Sequence, residues 1–299
     1  MIRKAVLKRI TLLLAVSVML AACDIGEQPP QDGPRPSPLM YEIADKNGTV
    51  EGWMFGTIHA LPDNTQWRSD ALENANADAD LLFVEIADLN DSEAISRIYT
   101  QLAARPDLPP LNKRIGSDKR AKLDMLIARS KFTPRDFQSV ETWAAALMLA
   151  QLARTGKAEN GVDRAFVEDF EGRPISEFEG ARAQLAIFDS LPEQDQRDLL
   201  SGVMDDIDKA ETDPGSLRRA WIAGDEAALV EATQTGIMAD PELREALLVQ
   251  RNRDWAEQLK PILAAKDQPM IAVGAGHLVG PDGLPAMLRK QGFTVRRVQ

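Results

Sequence analysis

The chain has 299 residues, 44% of them hydrophobic and 5% aromatic, with 46 acidic side chains against 35 basic ones and a formal charge of −11. That length holds one large domain or two small ones with a sizeable core, and the acidic surface repels nucleic acid and acidic lipid head groups, which excludes polyanion partners. The single cysteine excludes intrachain disulfides, so the fold must stand on its core.

At the start, Arg3, Lys4, Lys8 and Arg9 precede an apolar run over residues 10–20, the layout of a secretory signal. The run is shorter than the roughly 20 apolar residues a spanning helix needs. It ends in Leu20-Ala21-Ala22-Cys23, which resembles a bacterial lipobox. Cleavage after residue 22 would leave Cys23 to carry lipid, anchoring the domain in the periplasm of a bacterial envelope. Asp24, next to it, resembles an inner-membrane retention signal. Residues 1–22 hold four of the 35 basic residues and no acidic one, so 31 remain against 46 and the mature charge is −15. Residues 23–38, with Pro29, Pro30, Pro34, Pro36 and Pro38, are expected to form a flexible, lipid-anchored linker.

From residue 39 onward a single domain is expected. Strands over 39–44 and 49–55 flank Asp45-Lys46-Asn47-Gly48, where Asn-Gly favours a tight hairpin turn. His59 follows in a loop. Ser69 caps a helix to about 78, and 80–86 forms a third strand. Helices are predicted over 91–104, 117–129 and 134–154, the last opened by Thr133 as cap and Pro134 at the first helical position. Residues 161–171 read as helix and 173–178 as strand. Residues 180–260 read as nearly all helix, with breaks near Pro192, Pro214, Gly224 and Pro241. A strand at 270–273, a helix at 283–290 and a strand at 293–298 close the chain. Strands at both ends around a helical middle predict an α/β fold: a mixed central sheet built from N- and C-terminal segments, flanked by helices, with helical insertions at about 91–170 and 180–265.

Both histidines of the chain close the same frame, Gly-x-x-His, after an apolar strand: Gly56-Thr57-Ile58-His59 and Gly274-Ala275-Gly276-His277. Histidine is the commonest side-chain metal ligand and the usual acid/base near neutral pH, so one shared site is expected for the pair. The glycines at the strand exits permit positive φ and a close backbone approach, which would hold each imidazole above strand ends, where α/β sheets bind ligands. Glu85, after Leu81-Leu82-Phe83-Val84, is a carboxylate on a buried strand; it must bind a cation, pair with an Arg or Lys, or stay protonated. Glu179 ends the next strand just before a helix, and Asp163 reads as a helix-start acid. The five tryptophans read as core or pocket lining. The acidic stretch 204–213 lacks the glycine and terminal glutamate of a calcium loop and reads as a solvated helix face.

Several segments together resemble the TraB/PrgY/GumN family, which includes the Tiki proteins. They are Phe55-Gly56-Thr57-Ile58-His59, the Val84-Glu85-Ile86 of the third strand, Gly161-Val162-Asp163, Gly172-Arg173-Pro174-Ile175 with Phe178-Glu179, Arg251-Asn252, and Val273-Gly274-Ala275-Gly276-His277 with Gly283-Leu284. The resemblance covers residue 39 to the C-terminus. It implies a fold related to the erythromycin-esterase and haem-binding-lipoprotein (ChaN-like) group and, through the Tiki members, a divalent-metal-dependent protease activity. Under that resemblance His59, His277 and Glu85 are metal ligands, and Glu85 or Glu179 is catalytic. Arg251 and Asn252 bind substrate or steady an oxyanion. The nitrogen and oxygen donors admit zinc, manganese, cobalt or iron, and the substrate would be a peptide or a small molecule. Two other functions stay open. One is a haem- or metal-ligand-binding lipoprotein, with His59, His277, Tyr41 or Tyr99 as axial ligand; the other is a non-catalytic envelope regulator.

Overall fold

In the computed structural model, which describes residues 35–299, six strands form one sheet in the order β4-β3-β5-β2-β1-β6. They are β1 (Met40–Ala44), β2 (Val50–Thr57), β3 (Leu81–Val84), β4 (Ile175–Glu177), β5 (Pro269–Gly274) and β6 (Thr294–Arg297). The signal, the lipobox with Cys23, Asp24 and most of the linker lie outside the described residues. At the linker's end, Pro38 is buried and the Ser37 N–H donates to the carbonyl of Ile222 at 2.8 Å, so the chain is docked on the fold from Ser37 onward.

The β1–β2 hairpin forms as its turn chemistry dictates. Asp45 Oδ1 accepts from the backbone of Asn47 and Thr49, each at 2.8 Å, and Gly48 takes φ +85°. β2, β5, β3 and β4 run parallel, while β1 runs antiparallel to both β2 and β6. Residues 52–57 of β2 and 269–273 of β5 are buried without alternation, as expected for parallel strands covered on both faces. β5 lies between β3 and β2, so a strand from the end of the chain sits at the centre of the sheet.

Two cores share the helical residues. The first wraps the sheet and takes Phe166 from the helix Val162–Asp169, Phe170 from that helix's C-cap, Trp221, and Trp255 and Leu259 from the helix Gln250–Leu263. Phe55, Trp67, Phe166 and Trp221 cluster there with ring centroids 5.2–6.5 Å apart. The second core lies among helices alone, with Leu123, Phe137, Trp143, Leu199, Leu200, Met204 and Leu243. All five tryptophans are buried.

The long helix expected over 134–154 is broken. Thr133 and Pro134 open only a 3-10 turn, Pro134–Phe137, and the α-helix spans Thr142–Ala150. The intervening chain extends because Val140 bridges Ala104 and the Glu141 N–H donates to Ala103 O at 2.8 Å. Buried Arg114 captures three carbonyls, those of Pro109, Phe137 and Val140, at 2.6–2.8 Å, which leaves those of Phe137 and Val140 committed to a side chain. The acidic face of the helix Glu193–Thr212 is paired with Lys119, Lys122 and Arg129. None of the described helices is long and apolar enough to cross a membrane.

Candidate functional site

Three neighbouring parallel strands deliver the candidate residues to one edge of the sheet. Thr57 at the end of β2 pairs with Gly274 at the end of β5, and Val84 at the end of β3 pairs with Ala272. His59, Glu85 and His277 follow within one to three residues of those ends, at the carboxyl edge where such sheets take ligands.

The glycines work through close approach, not positive φ. Gly274 has φ −48°, and Gly56 is absent from the residues with positive φ. A Cβ on Gly56 would lie 3.1 Å from Ala275, and one on Gly274 would lie 3.3 Å from Glu85 Oε1 and 3.7 Å from the His277 ring. The missing side chain of Gly274 thus keeps open the space between Glu85 and His277.

His277 sits buried on a single 3-10 turn, Ala275–Leu278. Its Nδ1 lies 2.5 Å from Asn252 Oδ1. The orientation of that amide is fixed because Nδ2 donates to the carbonyl of Asp282 at 2.7 Å. An amide oxygen only accepts, so Nδ1 carries the proton and Nε2 keeps the lone pair. Burial pushes His277 down to about 4, with Arg251 adding to the effect and Glu85 opposing it, so the ring is neutral at pH 7. Trp255 packs against it with centroids 4.4 Å apart.

His59 is held in the same sense by a different residue. Its Nδ1 lies 2.8 Å from Asp163 Oδ2, and Asp163 Oδ1 accepts from the Thr57 hydroxyl at 2.5 Å. The Asp163 carboxylate, foremost, pushes His59 up to about 9. The His59 side chain retains 71% of its accessible surface, so water screens that attraction. Gly161 lets the Val162–Asp169 helix begin against this loop: the Val162 N–H donates to Ile58 O at 2.9 Å, and a Cβ on Gly161 would lie 2.6 Å from His59 O.

Glu85 is a buried, ionised carboxylate that accepts three hydrogen bonds. Oε2 accepts from Arg251 Nη2 at 2.7 Å and Gln184 Nε2 at 3.2 Å; Oε1 accepts from the Gly274 N–H at 2.9 Å and lies 4.0 Å from His277 Nε2. Burial opposes its ionisation, yet His277, Arg251, His59 and the Gly274 N–H hold it at about 2. Since His277 is neutral at pH 7, Arg251 is the cation that matters there. Arg251 also donates through Nε to Glu179 at 3.0 and 3.1 Å, stacks over Trp255, and places Nη1 3.3 Å from His277 Nε2. Glu179 is further held by Trp255 Nε1 at 3.1 Å and touches neither imidazole.

A π-helical turn, Glu245–Val249, leads into the helix that carries Arg251 and Asn252. Consecutive residues on a helix normally point about 100° apart, yet here both reach one imidazole, Arg251 on its Nε2 side and Asn252 on its Nδ1 side. Such turns are frequent at functional sites. Asn252, expected with Arg251 on the substrate side, has 0% of its surface exposed and stands behind His277 with both ends of its amide engaged. Tyr41 lies in β1, and Tyr99 donates to Ala144 O beside the second core, so neither belongs to this edge.

Asp163, Thr57, Gln184 and Asp282 were not recognised as site residues in the sequence. For Asp163 the signal was the Gly161-Val162-Asp163 frame, which a helix-start acid explains equally well; Thr57 stood inside the Gly56-Thr57-Ile58-His59 frame with no role of its own, and Gln184 and Asp282 carried no signal. Among the described residues, no three His, Cys, Asp or Glu side chains converge closely enough to hold a metal ion as they stand. The donor chemistry nevertheless fits one. Each histidine has Nδ1 tied to an oxygen, the arrangement that presents Nε2 to a metal, and Gly274 clears the space between His277 and Glu85.

The TraB/PrgY/gumN family profile matches residues 39–297, and the chain belongs to that family. It is similar to the uncharacterized protein YbaP of Shigella flexneri, 26% identical over 249 residues that cover 81% of this chain and 89% of that protein. The uncharacterized protein YbaP of Escherichia coli K12 is 27% identical over 243 residues, covering 79% and 87%. No solved structure matches the chain.

Proposed function

We propose that the protein is a hydrolase of the bacterial cell envelope, lipid-anchored through Cys23, that cleaves a peptide or a related small molecule with the help of a divalent ion. The observation that carries this reading is the matched anchoring of two imidazoles: Nδ1 of His59 on Asp163 and Nδ1 of His277 on Asn252, at the ends of adjacent parallel strands. Two imidazoles anchored alike, each through Nδ1 on a side-chain oxygen, argue for a common use.

His59, His277 and Glu85 would hold the ion, and zinc, manganese or cobalt would supply Lewis acidity toward a carbonyl and toward water. Asp163 and Asn252 would hold the two rings by Nδ1, and an ion at His59 would replace the proton on Nε2. Glu179 is the carboxylate left to act as base, since Glu85 is committed to the ligand set. Arg251 brings positive charge to the place where an oxyanion would develop.

Elemental analysis of the purified protein tests the reading together with hydrolysis of a peptide library with and without chelator. His59→Ala and His277→Ala are each expected to abolish stoichiometric metal and activity with an unchanged circular dichroism spectrum. Full metal content and full activity in both variants would overturn the assignment.

A further inference from the structure

Arg251 stands where the proposed ion would have to go. Its guanidinium is buried, 2.7 Å from Glu85 Oε2 and 3.3 Å from the lone-pair nitrogen of His277. It therefore already occupies two of the three proposed ligands, and a dication brought among the same atoms would meet a fixed positive charge at short range.

We propose that Arg251 is a resident counter-cation which a divalent ion displaces, so that this arginine sets the metal affinity of the site. The inference rests on the metal-dependent reading above. The fork of the guanidinium suits the exchange. Nε and Nη2 hold Glu179 at 3.0 and 2.9 Å, while Nη2 also reaches Glu85 and Nη1 reaches both His277 and the carbonyl of Leu247. Glu179, the Leu247 carbonyl and the Trp255 ring are partners outside the proposed ligand set, and they can keep the guanidinium satisfied once Glu85 and His277 turn to an ion. Without an ion, Arg251 compensates two carboxylates that burial would otherwise leave unpaired. With an ion bound, its released N–H donors are free for an anionic group of the substrate.

Isothermal titration of the full-length protein in detergent with manganese and with zinc chloride tests the exchange in wild type, Arg251→Gln, Arg251→Lys and His277→Ala. Arg251→Gln and Arg251→Lys are expected to bind the ion at least tenfold more tightly than wild type. Lysine qualifies because a compact ammonium cannot span Glu85 and His277 as the fork does, and it keeps a charge in the buried cluster should the glutamine variant fail to fold. Melting in the presence of ion is expected to show a larger ion-dependent rise for these variants than for wild type. Unchanged or weaker binding in both arginine variants, with binding lost in His277→Ala, would overturn the displacement and leave the metal-dependent reading standing. Absence of binding in wild type and both arginine variants would overturn the two together.

Discussion

Replacing Asn252 by leucine keeps the volume of the side chain and removes both of its polar ends. Two partners lose their hydrogen bonds: the Nδ1–H of His277 and the carbonyl of Asp282. The first is buried and has no other acceptor in reach, and leaving such a donor unpaired costs about 1–3 kcal/mol. Asp282 is only half-buried, so water recovers part of its loss. The sum comes to about 2–4 kcal/mol, and leucine leaves no cavity to add. For a domain of this size about 2–4 °C is lost per kcal/mol, so the melting temperature is expected to fall by about 5–15 °C. Denaturant titration of the ion-free protein gives the free energy directly. Asn252→Asp separates orientation from charge, since it keeps an acceptor on Nδ1 while placing a negative charge that favours the imidazolium. Metal affinity is expected to fall 10–100-fold in Asn252→Leu, the usual cost of losing the group that orients a ligand. A leucine variant within about 0.5 kcal/mol of wild type would show that Asn252 does not hold the ring, and the tautomer assigned to His277 would fall with it.

Other expectations can be checked alongside. With only two imidazoles in the untagged chain, an NMR titration of the ion-free protein is expected to show His59 titrating above 6.5, toward 9, and Asp163→Asn is expected to return it toward 6.5. Because the folded value is the higher one, the stability from this pair is complete below about pH 6.5 and drains away as pH rises through 9; exposure of the ring keeps its size small. Glu85 behaves in the opposite sense: its depressed value means stability present above pH 4.5 and lost as pH falls toward 2, which acid unfolding would register. Glu85→Gln is expected to cost about 3–5 kcal/mol through the broken buried pair and to lower hydrolysis by orders of magnitude; a fully active variant would remove Glu85 from the ligand set. Gly161→Ala, whose Cβ would stand 2.6 Å from His59 O, is expected to shift that loop and abolish the elevated His59 titration in a protein that still folds, and retention of the elevated value would contradict the packing described for Gly161.

The middle of the sheet was legible because β2, β3 and β5 are mostly apolar runs with strong punctuation. Val50–Thr57 follows an Asn-Gly turn, and Pro269–Gly274 is six residues of which five are buried. The pairing of end segments followed from order alone. The break at residues 138–141 was hidden because Thr133 and Pro134 do cap a helical turn; what ends it is Arg114, whose long-range grip on two of the segment's carbonyls has no local signature. The same limit explains Asp163. A first-turn acid satisfies the helix dipole in any sequence, and only contact across 104 residues reveals that it holds His59. Glu85 was marked by its burial as needing a cation or a proton. The identity of that partner, Arg251, required the fold, since the pair spans 166 residues.

The position of β5 between β3 and β2 gives the chain a particular history on its way to the folded state. A growing polypeptide that has released its first 250 residues holds His59, Glu85 and Asp163 but leaves a slot in the middle of the sheet, because the strand that fills it is made last. Pairings this remote along the sequence form late. No fragment truncated before Pro269 can bring His277 beside Glu85, so this sheet edge is complete only once the last part of the chain has been made and inserted.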